Sequence, residues 1–146
     1  MAGLRMDNVL IVVDDLAPMI EFLTALGMEV EGRADVGGAS VDRLIALDGV
    51  RAEIVSMKTP DGHGRIELDK FHMPAAVRLE PEDAPVNALG IRRVMFAVDD
   101  IDEMVARLRR HGGELVGEVV QYEDQHRLAY VRGPEGIVVG LAQALT

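Results

Sequence analysis

The chain has 146 residues, 49% hydrophobic and 27% charged, with a formal net charge of −10 and no cysteine. That length makes one domain or two very small ones, the composition excludes disorder as the main state, and the missing thiols exclude disulfides, thiolate nucleophiles, zinc–thiolate sites and iron–sulfur clusters. The acidic field repels phosphate backbones, no apolar run reaches the roughly 18 residues of a membrane span, and MAGLRMDNVL lacks the pattern of a secretory signal, so the expectation is a cytoplasmic protein with no nucleic-acid and no membrane partner.

Taken in chain order, Asn8–Val13 is an apolar, β-branched run and reads as a buried strand. Asp15 stands where a helix N-cap belongs. Met19, Ile20, Leu23 and Leu26 then fall on one helical face, and Gly27 closes the helix as a C-cap. Strands are expected at Met28–Ala34, Val50–Met57 and Arg65–Lys70. Between the first two, Val41, Leu44, Ile45 and Leu47 have helical spacing, which predicts a short helix over Ser40–Leu47. Pro74–Leu89 holds three prolines in a polar stretch and reads as a linker. Arg93–Val98 is a second apolar strand. Asp100 is a second N-cap, with Ile101, Met104, Val105 and Leu108 on one face, His111 in the last turn and Gly112 as C-cap. Glu114–Val120, Leu128–Arg132 and Ile137–Ala142 complete the strands.

The second half repeats the first. VLIVVDDL from Val9 returns as VMFAVDDI from Val94, and the offset of 85 holds without a gap to Gly32 and Gly117. Nine of those 24 pairs are identical, among them Asp14/Asp99, Asp15/Asp100, Leu23/Leu108 and Gly27/Gly112, where chance gives about one or two. Pro60-Asp61-Gly62 and Pro134-Glu135-Gly136 each precede a final strand. The reading is an α+β chain of two βαβββ modules, about 6–73 and 90–145, joined by a linker at about 74–89.

Two such copies, each opening on a strand that ends Val-Asp-Asp, resemble the vicinal oxygen chelate superfamily. That family includes glyoxalase I, extradiol dioxygenases and bleomycin-binding proteins. The likeness is carried by DNVLIVVDDL, GRIELDKF, GIRRVMFAVDD and GPEGIVVGLAQ. It implies that the two modules form one domain with a cup-shaped mixed sheet. It also implies metal ligands from the first and last strand of each module, which fall here on Asn8, Glu67, Arg93 and Gly140. Of these only Glu67 matches the family. A protonated guanidinium has no acceptor and glycine has no side chain, so the expectation is no metal and no other cofactor.

Strand alternation places Leu10 and Val12 on the face of Asn8, Met95 and Ala97 on that of Arg93, and Arg65 and Asp69 on that of Glu67. Arg93 is then a substitute for the metal's charge, pairing with Glu67 or with an anionic or carbonyl oxygen of a ligand. Glu67 is the candidate catalytic residue. Asn8, Arg65, Asp69, His72, Arg93, Met95, Tyr122 and Tyr130 are the candidate ligand-binding residues. His63 and His126 lie in polar turns, and neither Ser40 nor Ser56 has a motif partner. The expected function is a glyoxalase-like protein that binds a small organic molecule in the cup, as a homodimer. The alternative is a metal-dependent lyase, isomerase or dioxygenase with a non-standard site around Glu67.

Overall fold

The computed structural model describes residues 3–79 and 81–145. The chain divides into two compact units between Val77 and Arg78.

In the first unit the order is β1 (Val9–Val12), α1 (Leu16–Leu26), β2 (Glu29–Gly37), α2 (Ala39–Ile45), β3 (Arg51–Lys58) and β4 (Arg65–Met73). The sheet order is β1-β4-β3-β2, with β1 parallel to β4 and the other pairs antiparallel. The Asp15 carboxylate accepts from the Ala17 N–H and starts α1. Gly27, at φ 120°, ends it. There the N–H of Met28 reaches back to the Leu23 carbonyl and that of Gly27 to Thr24, a Schellman closure that satisfies the last carbonyls. Met19, Phe22, Leu23 and Leu26 are buried in the core with Val55, Met57, Ile66 and Leu68 from the sheet. Phe22 takes the core position that spacing assigns to Ile20, which stays half-buried.

The second unit repeats the plan: β5 (Val94–Ala97), α3 (Ile101–Arg109), β6 (Glu114–Leu115), β7 (Val120–Tyr122), β8 (His126–Arg132) and β9 (Val138–Ala144). Its sheet order is β5-β9-β8-β6, with β7 also paired to β8 and β5 parallel to β9. Asp100 caps α3 by accepting from the Glu103 N–H. Gly112 is positive in φ and sits in the same closure, with Gly113 N–H on Leu108 and Gly112 N–H on Arg109. Ile101, Val105 and Leu108 pack with Ala129, Val131, Val139 and Leu141, while Met104 is half-buried.

Several boundaries differ from the sequence reading, each for a tertiary reason. β2 runs to Gly37 because Val36 and Gly37 find partners in Ala52 and Arg51. β4 continues through His72 to Met73 by pairing with Arg51 and Ala52. The expected strand Glu114–Val120 is two short strands: Leu115 pairs with Val131 and Val120 with Leu128, so residues 117–119 loop out. Ile137 ends a 3₁₀ turn over Pro134–Gly136 and β9 starts one residue later. The first strand is not fully buried. Leu10 and Val12 are 49% and 44% exposed, because α1 covers only the other face. Nor does α2 sink its apolar residues into the core, and Leu44 is 81% exposed.

Candidate functional site

In the first unit, α1 packs on the face that carries Ile66 and Leu68, and Glu67 and Asp69 alternate onto the opposite face. The register puts Leu10 and Ser56 beside Glu67, and Val12 and Ile54 beside Asp69. Asp69 is only 7% exposed, the one buried charged side chain among the described residues. Its Oδ1 has no hydrogen-bond partner. Burial, then a hydrogen bond and repulsion from Glu67, push its carboxyl up to about 7. A carboxyl so placed keeps its proton close to neutrality.

Arg65, expected beside this pair as a ligand contact, is engaged elsewhere. Its Nε and Nη2 form a fork on the Glu31 carboxylate at 3.1 and 3.2 Å, and its Nη1 donates to the Gly62 carbonyl at 3.0 Å. The arginine holds the Glu31 carboxyl below its ordinary range. Arg65 thus ties β4 to the bulge of β2. His72 is the extra residue of a bulge on β4, between the Phe71–Ala52 and Met73–Arg51 pairs. Its Nε2 lies 3.6 Å from the Glu53 carboxylate, on the face away from Glu67. Asn8 is exposed just before β1, and its amide donates to Asp7.

In the second unit the register, taken with the 85-residue repeat, identifies equivalent positions. Leu10 pairs with Glu67 and its counterpart Met95 pairs with Gly140, so Gly140 stands where Glu67 stands in the first unit. The space that a side chain would take there is filled: a Cβ on Gly140 would meet Met95 Sδ at 2.7 Å and Arg93 Cδ at 3.2 Å. Tyr130 pairs with Gly140 from the other side. Arg93, exposed one residue before β5, donates from Nε to the Tyr130 hydroxyl, and its guanidinium carbon lies 5.4 Å from the ring centroid. Arg93, Met95 and Tyr130 are therefore brought together, around Gly140. Tyr122 is exposed at the end of β7, paired with His126, four residues along β8 from Tyr130.

A transition metal needs about three imidazole or carboxylate ligands. Among the four positions that the resemblance implies, Gly140 offers no donor and its space is taken by Met95, Arg93 offers no acceptor, and Asn8 is turned to Asp7. Glu67 and Asp69 remain, one short of the number, and no group of three metal-binding side chains forms among the described residues. The donor set does not fit the family's metal.

Sequence reasoning passed over three features. Ser56, set aside for want of a motif partner, lies across from Glu67, and only the β3–β4 register reveals it. The burial of Asp69 and the seating of Arg93 on Tyr130 also depend on pairing between distant strands. Alternation within β4 and β5 did identify the faces.

A model of the Glyoxalase/Bleomycin resistance protein/Dioxygenase superfamily matches residues 5–141. The chain belongs to that family. It is similar to a glyoxalase family protein from Bacillus cereus, at 54% identity and a TM-score of 0.94, over 100% of this chain and 97% of that one. A glyoxylase/bleomycin resistance protein/dioxygenase domain from Frankia has the same fold at 16% identity and a TM-score of 0.66, over 98% and 93% of the two chains. A 70-residue stretch, 48% of this chain, is 33% identical to CFP32 of Mycobacterium tuberculosis and Mycobacterium bovis, a provisionally named glyoxylase. That stretch spans only 27% of the relative's length. No helix among the described residues is long and apolar enough to cross a membrane.

Proposed function

We propose that this chain binds a small organic molecule on the sheet faces away from its helices, without the metal typical of its family and without another cofactor. The observation that carries this reading is the replacement of a ligand position by Gly140, with Met95 and Arg93 filling the space. Arg93 supplies a fixed positive charge where a metal would supply one, and a guanidinium stays charged at all relevant pH values. The reading places the protein in the cytoplasm, with no nucleic-acid or membrane partner. It also makes the protein a homodimer, an inference supported by the exposed apolar side chains Leu10 and Val12 on the first strand and Met6 before it.

The test is metal content by plasma mass spectrometry after soaking in Mn, Fe, Co, Ni and Zn, followed by a thermal-shift screen of small molecules. No stoichiometric metal and a stabilising organic ligand are expected. One tightly held equivalent, lost on Glu67→Ala, would overturn the reading. It would favour a metal-dependent lyase, isomerase or dioxygenase instead, a reading that has some support in the second carboxylate that Asp69 places beside Glu67.

A further inference from the structure

We propose that Arg93 and Tyr130 form a binding site for a carboxylate on the second unit. The proposal rests on the reading above, that the chain takes a small molecule without metal, and specifies which chemical group the molecule presents.

Some arginines of this acidic chain are taken up by carboxylates: Arg65 forks onto Glu31, and Arg127 onto Asp102 at 2.7 and 2.9 Å. The chain holds 25 Asp and Glu, yet among the described residues none pairs with Arg93. Its partner is an aromatic hydroxyl: Nε donates to the Tyr130 oxygen and the guanidinium lies over the same ring. These two contacts set the plane of the guanidinium and use one of its five N–H groups. The end-on pair of N–H groups has no partner among the described residues. Because the Tyr130 oxygen accepts from Nε, its own proton is left to donate. The floor beneath is the bare backbone of Gly140 and the Met95 thioether, which bring no negative charge.

The result is a positively charged cluster of donors, held in place before any ligand arrives. Two parallel N–H groups match the two oxygens of a planar carboxylate, and charge-assisted bonds of this kind are among the strong ones. Holding the arginine in advance lowers the entropy cost of binding. The same chemistry rejects an amine, which would bring a positive charge and further donors. The half-buried Tyr130 and Met95 suit an apolar body behind the carboxylate.

The chain has two tyrosines, so protein labelled with ring-13C tyrosine gives one signal at the site, Tyr130, and one reference, Tyr122. The full-length protein is titrated with benzoate, with its cationic counterpart benzylamine, and with inorganic phosphate, and calorimetry gives the affinity. Benzoate is expected to shift Tyr130 saturably and leave Tyr122 in place, while benzylamine moves neither. Arg93→Met abolishes the effect. Arg93→Lys keeps the charge but loses the fork, and weakens binding about tenfold. Tyr130→Phe weakens it a few-fold by calorimetry, and Arg33→Met, on exposed β2, leaves it unchanged. The proposal is overturned if benzoate shifts Tyr130 equally in Arg93→Met, if benzylamine does the same as benzoate, if phosphate binds more tightly than benzoate, or if millimolar benzoate gives no saturable shift. Any of these in a protein that stays metal-free removes only the carboxylate site. A stoichiometric metal bound through Glu67 removes the broader reading instead.

Discussion

Replacing Asp69 by Asn changes how stability depends on pH, and the structure sets the sign. The Asp69 carboxyl is raised from 3.8 to about 7 by its burial and by Glu67. The native state therefore keeps a proton that the unfolded chain releases near pH 4. Stability from this group is complete below the unfolded value and is lost as pH rises toward about 7. At about 1.4 kcal/mol per pH unit, the full Asp69 shift corresponds to at most about 4 kcal/mol. An amide keeps the shape, can still donate to Glu67 and never ionises. Urea unfolding followed by far-ultraviolet circular dichroism, from pH 5.5 to 8.5, should show the native chain losing stability over the lower part of that range. The Asp69→Asn chain should lose much less and be the more stable of the two at pH 8. Parallel curves for the two proteins would refute the reasoning, because they would mean that Asp69 is ionised in the folded protein throughout.

Three further outcomes follow from packing. Gly140→Ala sets a methyl against Met95 Sδ, 2.7 Å from the new Cβ, and should cost under about 1 kcal/mol, because the half-buried, unbranched thioether can swing aside. Adding Met95→Ala should restore part of that loss, and additive losses in a double-mutant cycle by urea unfolding would disprove the contact. Asp42 accepts the N–H groups of Gly49 and Val50, both at 2.9 Å, so Asp42→Ala should cost about 1–2 kcal/mol and raise amide exchange at both. Unchanged exchange would show that the loop does not depend on it. Leu23→Ala empties a fully buried position under α1 and should cost about 2–5 kcal/mol in the same unfolding assay.

Local chemistry made much of this chain readable in advance. Asp15 and Asp100 cap helices with their own side chains, and Gly27 and Gly112 close them in a conformation that glycine adopts without strain, so these signals need no distant partner. Alternation fixes faces within a strand, which is why Leu10 and Val12 could be grouped with Asn8 before their exposure was known. The repeat itself is a property of sequence, and with the VDD strands it was enough for the family.

Pairing between strands was decided by the tertiary structure alone. Where β2 and β4 stop depends on whether Arg51 and Ala52 are there to accept them. Gly117 lies in a break between β6 and β7 because Tyr130 and Leu128 are two residues apart, while Val116 and Val120 are four residues apart. The raised carboxyl of Asp69 and the seating of Arg93 on Tyr130 belong to the same class. An apolar or polar pattern names the face a side chain takes, whereas its neighbours come from other strands, 37 residues away in the case of Arg93 and Tyr130, and hydrogen-bond register between those strands decides which groups meet.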